Sequence, residues 1–382
     1  MKFRFVEGGI IIAYYPYIRG IAKSYLIKLT LQNIAYSALI ITVVIALLVV
    51  ARTILIPIAF AIIIAFALSP FANWFEKKGV GHGFSVFLTL FLVTIVIAGI
   101  ITVFSFTFAS IIKEFPEIKV EIDKGISTIE YFINDLLNLS DRAIENELED
   151  NSSKLLNPLW EFVENSISSS FLAVGNIFLG ALYVIFFLLY RKGLRRIILN
   201  NLKGKKLNES SQLLQKIRDV IQSYLLGLFV VILILGTANS IGLWIIGIDH
   251  AIFWGYLAGL LVVIPYIGTT IGGLLPFLYA LATTDTLWQP VAIVIMYFTF
   301  QQLEGNFVTP KIVGSKIEVN PFFVINAMII GGFIWGVAGL ILAVPTIGIV
   351  HTILKHYEQT RHLGFLLSNK ISKADFDYKN EL

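Results

Sequence analysis

The polar string Gln301-Gln302-Leu303-Glu304-Gly305-Asn306 is where this chain has the means to do chemistry. It closes a run that is otherwise apolar, and acids are nearly absent from the neighbouring apolar segments. An ionisable side chain at membrane depth costs at least about 2.5–3.5 kcal/mol, so it faces a cavity and has a task. The carboxyl of Glu304 is thus a candidate to exchange a proton or bind a cation. Gln301 lies three residues before Glu304 and shares a helical face with it, whereas the adjacent Gln302 points elsewhere. Gln301, Gln302, Glu304 and Asn306 are the expected polar lining of a route. Two plainer readings stand beside this one. Glu304 could lie at the end of its span in the headgroup zone, capping Asn306-Phe307-Val308, and the amides could serve as hydrogen-bonded glue between helices.

Two long apolar segments flank this string and must position it. The first is AIFWGYLAGLLVVIPYIGTTIGGLLPFLYALAT, broken at Pro265-Tyr266-Ile267-Gly268. The second is NPFFVINAMIIGGFIWGVAGLILAVPTIGIVHT, broken around Gly331-Gly332 and from Gly336 to Gly339. Breakage frees backbone groups that lipid cannot satisfy, so it is tolerated where protein buries it or a polar cavity meets it. A matched pair of interrupted segments points to a transporter's binding region. Pro265, Gly268 and Gly272 in the first segment, and Gly332 and Gly336 in the second, are candidate hairpin or gating positions. Pro310 and Gly314 in the intervening loop are further candidates. Close helix packing is the alternative role for the glycines, since Gly255/Gly259, Gly268/Gly272 and Gly332/Gly336 are small-xxx-small pairs.

Each broken segment is either one long interrupted crossing or a re-entrant hairpin that returns to its own side. The loop Thr283 to Pro290 carries Asp285 and no Lys or Arg, whereas Pro310 to Lys316 carries Lys311 and Lys316. That bias favours the hairpins. The hairpins also give two oppositely oriented units around one span, as in an inverted repeat.

Other chemistries find little support. The chain has no cysteine, which excludes disulfides, thiolate metal sites and a Cys nucleophile. His351, His356 and His362 are five and six residues apart and share no helical face, so no metal site is expected. No HExxH, GxSxG or Walker A sequence is present. Asp249 and Asp285 both sit at turns, so an intramembrane aspartyl protease would need both of them misplaced by half a membrane. Asn239 and Asn326 are lone amides within spans, read as interhelical glue. No cofactor is implied and an enzyme is the least supported class.

Composition sets the frame. Of 382 residues, 57% are hydrophobic and 14% charged, with a mean hydropathy of +0.82. Several runs exceed the length of a membrane span, so the chain is an all-α polytopic membrane protein. Residues 1–33 read as a basic, cytoplasmic lead-in, its apolar stretch interrupted by Pro16; an extension from an upstream start codon is the other reading of residues 1–28. Spans 1–3 occupy 34–112, with a tight turn at Arg52 and the third span running from Phe84 to about Ile112. Residues 113–168 carry thirteen acids against five Lys or Arg, with apolar residues at helical spacing, and read as an extracytoplasmic amphipathic helical insertion. A fourth span covers 169–190. Nine Lys or Arg then fall between Arg191 and Arg218, placing the loop and amphipathic helix of 191–221 in the cytoplasm. Its place between spans argues against nucleic acid and for topology, with anionic lipid as a partner. A transport core spans 222–353 and a cytoplasmic tail 354–382. About eight membrane segments result, with both termini cytoplasmic.

The segments IPYIGTTIGGLLPFL, QQLEGNFVTPKIVGSKIEVNP and GGFIWGVAGLILAVP, in that order, resemble the autoinducer-2 exporter family of bacterial membrane proteins. The likeness covers roughly residues 30 to 355, and its specificity lies in the last third. Matching positions are Pro265, Gly268, Gln302, Glu304, Asn306, Pro310, Gly314, Pro321, Gly336, Gly339 and Pro345. The resemblance implies an eight-segment inner-membrane protein with transport activity. Some members are associated with export of a small furanone signal and others with sodium or lithium efflux in exchange for protons; the resemblance does not choose between them. The expected activity is secondary-type export of a small autoinducer-2-like solute. A sodium(lithium)/proton antiporter, an uncoupled channel-like facilitator and a membrane scaffold are the alternatives. Homo-oligomerisation is expected from the glycine-rich faces and the protruding insertion.

Overall fold

The computed structural model describes residues 31–137, 170–200, 205–265, 267–284, 286–308, 311–312 and 318–369, with side chains described within these for 35–111, 177–200 and from 207 onward. The lead-in before residue 31, residues 138–169 of the acidic insertion and the tail beyond 369 fall outside them, as do Pro310 and Gly314.

Every element is helical among the described residues, apart from an isolated bridge between Val319 and Ser368. Runs of Leu, Ile, Phe and Ala with few polar interruptions leave the backbone only its own helix to bond with once water is gone. The chain forms two compact units, divided at Arg52. In the first, α1 (Leu31–Val50) is the described helix. It ends one residue before the expected turn, at Ala51.

The second unit holds α2 (Arg52–Lys77), α3 (His82–Leu137), α4 (Ser170–Asn200) and α5 (Lys205–Ile246). It continues with α6 (Ala251–Leu261), α7 (Ile267–Thr283), α8 (Trp288–Leu303), α9 (Pro321–Trp335), α10 (Val337–His356) and a short α11 (Arg361–Leu366). Helix α3 is one uninterrupted element of 56 residues, so the boundary expected near Ile112 is a change of composition, not a break in the backbone. Likewise the amphipathic start of α5 runs into its span without interruption. Five helices are long and apolar enough to cross a membrane: Arg52–Lys77, His82–Ile111, Ile177–Asn200, Leu207–Ile246 and Val337–His356. Bulky apolar side chains stand exposed on these and neighbouring helices, among them Phe333 at 88%, Phe106 at 76% and Trp244 at 74%. A water-facing surface of this kind would aggregate, whereas lipid accommodates it.

Both segments are interrupted and fold back on themselves, but the breaks are narrower than expected: Gly268 already lies in α7, Gly331 and Gly332 in α9, and Gly339 in α10. The first break includes residues 262–265, between α6 and α7. A Cβ on Gly272 would come within 2.9 Å of the Ala258 Cα, and one on Gly268 would fall onto the Leu261 carbonyl. These pairs straddle the break symmetrically, as in an antiparallel hairpin. The second breaks at Gly336, whose φ of +60° is a conformation that L side chains rarely adopt. Gly331 meets Gly339, with a Cβ on Gly331 only 2.6 Å from the Gly339 carbonyl oxygen, and Gly332 meets Leu340. Asn320 starts α9, its side chain accepting the Phe322 N–H at 3.0 Å with Pro321 following.

Helices α5 and α6 form a third tight pair across the turn Gly247–His250. A Cβ on Gly259 would lie 2.8 Å from the Gly236 nitrogen, and one on Gly255 would strike Ser240. Glycines that suggested an oligomer face, Gly255, Gly259, Gly268, Gly272 and Gly332, therefore pack within the chain.

Two polar devices join distant helices. In α2, Pro70 has no N–H for the Phe66 carbonyl one turn back. That carbonyl instead accepts from Ser69 Oγ at 2.9 Å and from Gln222 Nε2 of α5 at 2.8 Å. At the end of α2, the Glu76 carboxylate lies 2.6 Å from each of Arg191, Lys192 and His82. The other His82 ring nitrogen meets the Leu189 carbonyl at 2.8 Å. Arg191 and Lys192, which open the basic stretch within α4, are thus partly neutralised by an acid at the end of α2.

Candidate functional site

Helix α8 delivers the polar string. Tyr297, Gln301 and Glu304 recur at spacings of four and three residues and so fall on one stripe. At Glu304 the α-helix gives way to a π-helical turn, Glu304–Val308, an irregularity frequent at functional sites. The stripe faces α5, α6 and α7. Together they enclose a cavity of about 30 Å³ lined by Leu235, Asn239, Ala258, Val262, Thr269, Tyr297, Phe300, Gln301 and Glu304. That is room for roughly one water.

Two of the lining residues carry buried polar atoms without partners among the described residues. Asn239 is 5% exposed, and its Oδ1 makes no hydrogen bond among the described residues. The Tyr297 hydroxyl is likewise unpaired among them. Buried polar groups are ordinarily satisfied, so two orphans beside one small cavity ask for an occupant. Gln301 Nε2 reaches Thr269 Oγ1 at 3.5 Å, the outer limit of a hydrogen bond. Glu304 is half-buried at the rim and carries the lining's single formal charge. Amide, hydroxyl and carboxylate oxygens with no basic residue form a hard donor set, suited to a proton, a small cation or a hydrogen-bonding solute.

The expected lining therefore divides. Gln301 and Glu304 meet in the cavity. Gln302 and Asn306 do not line it: Asn306 Nδ2 donates to the Gln302 carbonyl at 2.9 Å and to its Oε1 at 3.3 Å, an exposed local clasp. Asn306 stands two residues past Glu304 and five past Gln301, spacings that lie off their stripe on a helix. Among the hairpin candidates, the first break contributes directly. Val262 lies within it and Thr269 just beyond, while Pro265, Gly268 and Gly272 shape the turn and its close packing. The second break does not line the cavity; Trp335, before Gly336, packs near Ile63, Ile221 and Leu342.

Three lining residues escaped the sequence reading. Tyr297 was detectable, one turn before Gln301 on the same stripe. Asn239 was noticed as a lone amide but read as glue, and the structure shows its oxygen bonded to nothing described. Thr269 carries no signal beyond its place after the break. Gly273 serves Tyr297, because a Cβ there would lie 3.1 Å from the tyrosine ring.

A small cavity with polar groups among apolar helices, beside an interrupted helix, fits a multi-pass helical membrane protein of the transport class. Residues 36–359 match the family described as AI-2E family transporter, and the chain belongs to that family. It is similar to YrrI of Bacillus subtilis (strain 168), at 25% identity over 319 residues, covering 82% of this chain and 89% of the relative. It is also similar to YhhT of Escherichia coli (strain K12), at 21% identity, covering 77% of this chain and 82% of the relative. A shorter match, 27% identical over 208 residues, is to YueF of Bacillus subtilis (strain 168) and covers 53% of this chain and 56% of that one. All three are provisionally named as transport proteins.

Proposed function

We propose that this chain is a secondary-type transporter that exports a small polar solute of the autoinducer-2 kind across the bacterial inner membrane, through the site formed by Asn239, Thr269, Tyr297, Gln301 and Glu304. One observation carries the reading: Asn239, whose buried amide oxygen has no partner among the described residues, lines the same small cavity as an acidic residue, among helices apolar enough to lie in lipid. Orphaned polar atoms at membrane depth are retained where a ligand completes them. The two folded-back segments act as re-entrant hairpins, giving about eight membrane segments in all. The basic stretch 191–218 puts the loop after α4, and both termini, on the cytoplasmic side. Homo-oligomerisation rests on the acidic insertion, since the glycine faces are engaged within the chain.

The size of the cavity favours a second reading, sodium or lithium efflux against protons. A furanone needs the site to widen, whereas about 30 Å³ with amide, hydroxyl and carboxylate groups among its lining suits a small cation as it stands. Glu304 then exchanges the proton for the cation.

The experiment uses purified protein in liposomes containing a pH-sensitive dye. A pH gradient is imposed, and sodium, lithium or labelled furanone is added in turn. Proton movement on adding a cation, lost in Glu304→Gln at equal membrane abundance, establishes the antiporter. Furanone flux that responds to the pH gradient, and that Glu304→Gln abolishes, establishes the coupled exporter. Furanone flux indifferent to the gradient marks an uncoupled facilitator, and wild-type flux in Glu304→Gln removes this residue from the mechanism.

A further inference from the structure

A second, larger cavity of about 500 Å³ lies where the first half of α5 meets the end of α10 and α11. Its charged groups divide into two sets. The acids are matched: Glu318 Oε2 pairs with Lys355 Nζ at 2.7 Å, and Asp219 Oδ1 with Arg218 at 3.4 Å. Lys216 and Arg361, by contrast, line the cavity with no ion pair or hydrogen bond among the described residues. Ser223 and Thr352 add hydroxyls. His351, 5% exposed, faces the same space; its ring bonds the Gly364 backbone, while Nε2 has no partner among the described residues.

The wall is built rather than incidental. Residues 318–320 are stitched to 367–369 by Asn320 N–H to the Leu367 carbonyl at 2.8 Å and Asn369 N–H to the Glu318 carbonyl at 3.0 Å. A Cβ on Gly364 would lie 2.6 Å from the Lys355 nitrogen, so α11 packs hard against α10 and holds Arg361 in place. The described residues contain no cluster of His, Asp and Glu able to hold a metal ion.

We propose that this cavity binds a phosphate group. Arg361 offers a planar fork for two oxygens and Lys216 a point charge, the pairing that phosphate recognition uses. The hydroxyl of Ser223 adds a neutral donor, whereas Thr352 already donates to the Gly348 carbonyl at 2.8 Å and His351 to the Gly364 backbone. The volume falls in the range of small-ligand sites. Two sources share this chemistry, a soluble phosphate monoester and the headgroup of an anionic phospholipid. Either would bridge α5, which carries Asn239, to α10. The inference stands independently of what is transported.

The test uses the full-length protein in detergent. Inorganic phosphate is titrated against chloride at matched ionic strength, with thermal unfolding as readout, and native mass spectrometry follows retained phosphatidylglycerol. A saturable effect of phosphate, weakened about tenfold or more in the Lys216→Gln/Arg361→Gln double variant but not in the control Arg196→Gln, supports the site. If phosphate displaces retained phosphatidylglycerol the headgroup is the natural source; if phosphate binds and phosphatidylglycerol is indifferent, a soluble monoester is. Both substituted side chains are exposed, and each single variant serves if the double variant is poorly behaved. Absence of saturable binding by both probes, or binding that the variants leave unchanged, overturns the proposal.

Discussion

Replacing Gly259 by alanine tests whether the α5–α6 contact sets the dimensions of the small cavity. The new Cβ would sit 2.8 Å from the Gly236 nitrogen and 2.9 Å from both its Cα and the Ile232 carbonyl oxygen. Carbon atoms settle at about 3.5–4.0 Å, so the helices must part by about 1 Å. Overpacking of this size costs about 1–3 kcal/mol. Alanine also gains about 0.8–1.0 kcal/mol of helix propensity over glycine, which would obscure the loss in a single measurement. Gly180 in α4 provides the reference, because a Cβ there meets nothing within 4 Å. Both substitutions share the propensity gain, so their difference isolates packing. In mixed-micelle unfolding, Gly259→Ala should be less stable than Gly180→Ala by about 1–3 kcal/mol. Leu235 and Asn239 flank Gly236, and Ala258 and Val262 flank Gly259, so parting these helices also enlarges the cavity of about 30 Å³. Transport of a small cation that fits the cavity as it stands should therefore fall in Gly259→Ala and persist in Gly180→Ala. Equal stability of the two variants would refute the argument that backbone contact holds α5 and α6 at their spacing.

Tyr297→Phe removes a hydroxyl that has no partner among the described residues, so stability should change by less than about 1 kcal/mol while transport in liposomes drops. Gln301→Ala should reduce flux, whereas Gln302→Ala and Asn306→Ala should leave it within about twofold, since those side chains only clasp one another; the comparison is made at equal protein incorporation. Glu76→Gln leaves Arg191, Lys192 and His82 around an uncharged partner whose side chain is 15% exposed. About 3 kcal/mol of stability should be lost, measured by unfolding in detergent, with a smaller loss on raising the salt concentration.

Much of the fold was legible because membrane constraints are blunt. Pro265 with Gly268, and Gly336, mark the two breaks since both residue types act locally on the backbone. Gln301 and Glu304 fall on one face through simple helical arithmetic. What eluded reading depended on tertiary partners or on departures from regular geometry. Asn239 lies some sixty residues before Gln301, and no local pattern brings them together. Asn306 looked like part of the same lining, but it stands two residues past Glu304, off the stripe, and bonds Gln302 instead. The change from apolar to acidic sequence near residue 112 looked like a boundary, yet Lys, Glu and Asp are adequate helix formers at a surface and α3 continues to Leu137.

The carbonyl that Pro70 leaves open at Phe66 has a consequence for how the molecule is made. Gln222 follows Phe66 by 156 residues, about 8–30 s of synthesis at roughly 5–20 residues per second. Throughout that interval α2 has only Ser69 to serve the open carbonyl. Lipid offers no donor to replace the missing one. Arrival of α5 closes the gap, so the order in which the ribosome releases these helices is also an order of increasing commitment. A nascent chain truncated before Gln222 should hold α2 loosely, open to quality-control proteases that the finished protein escapes.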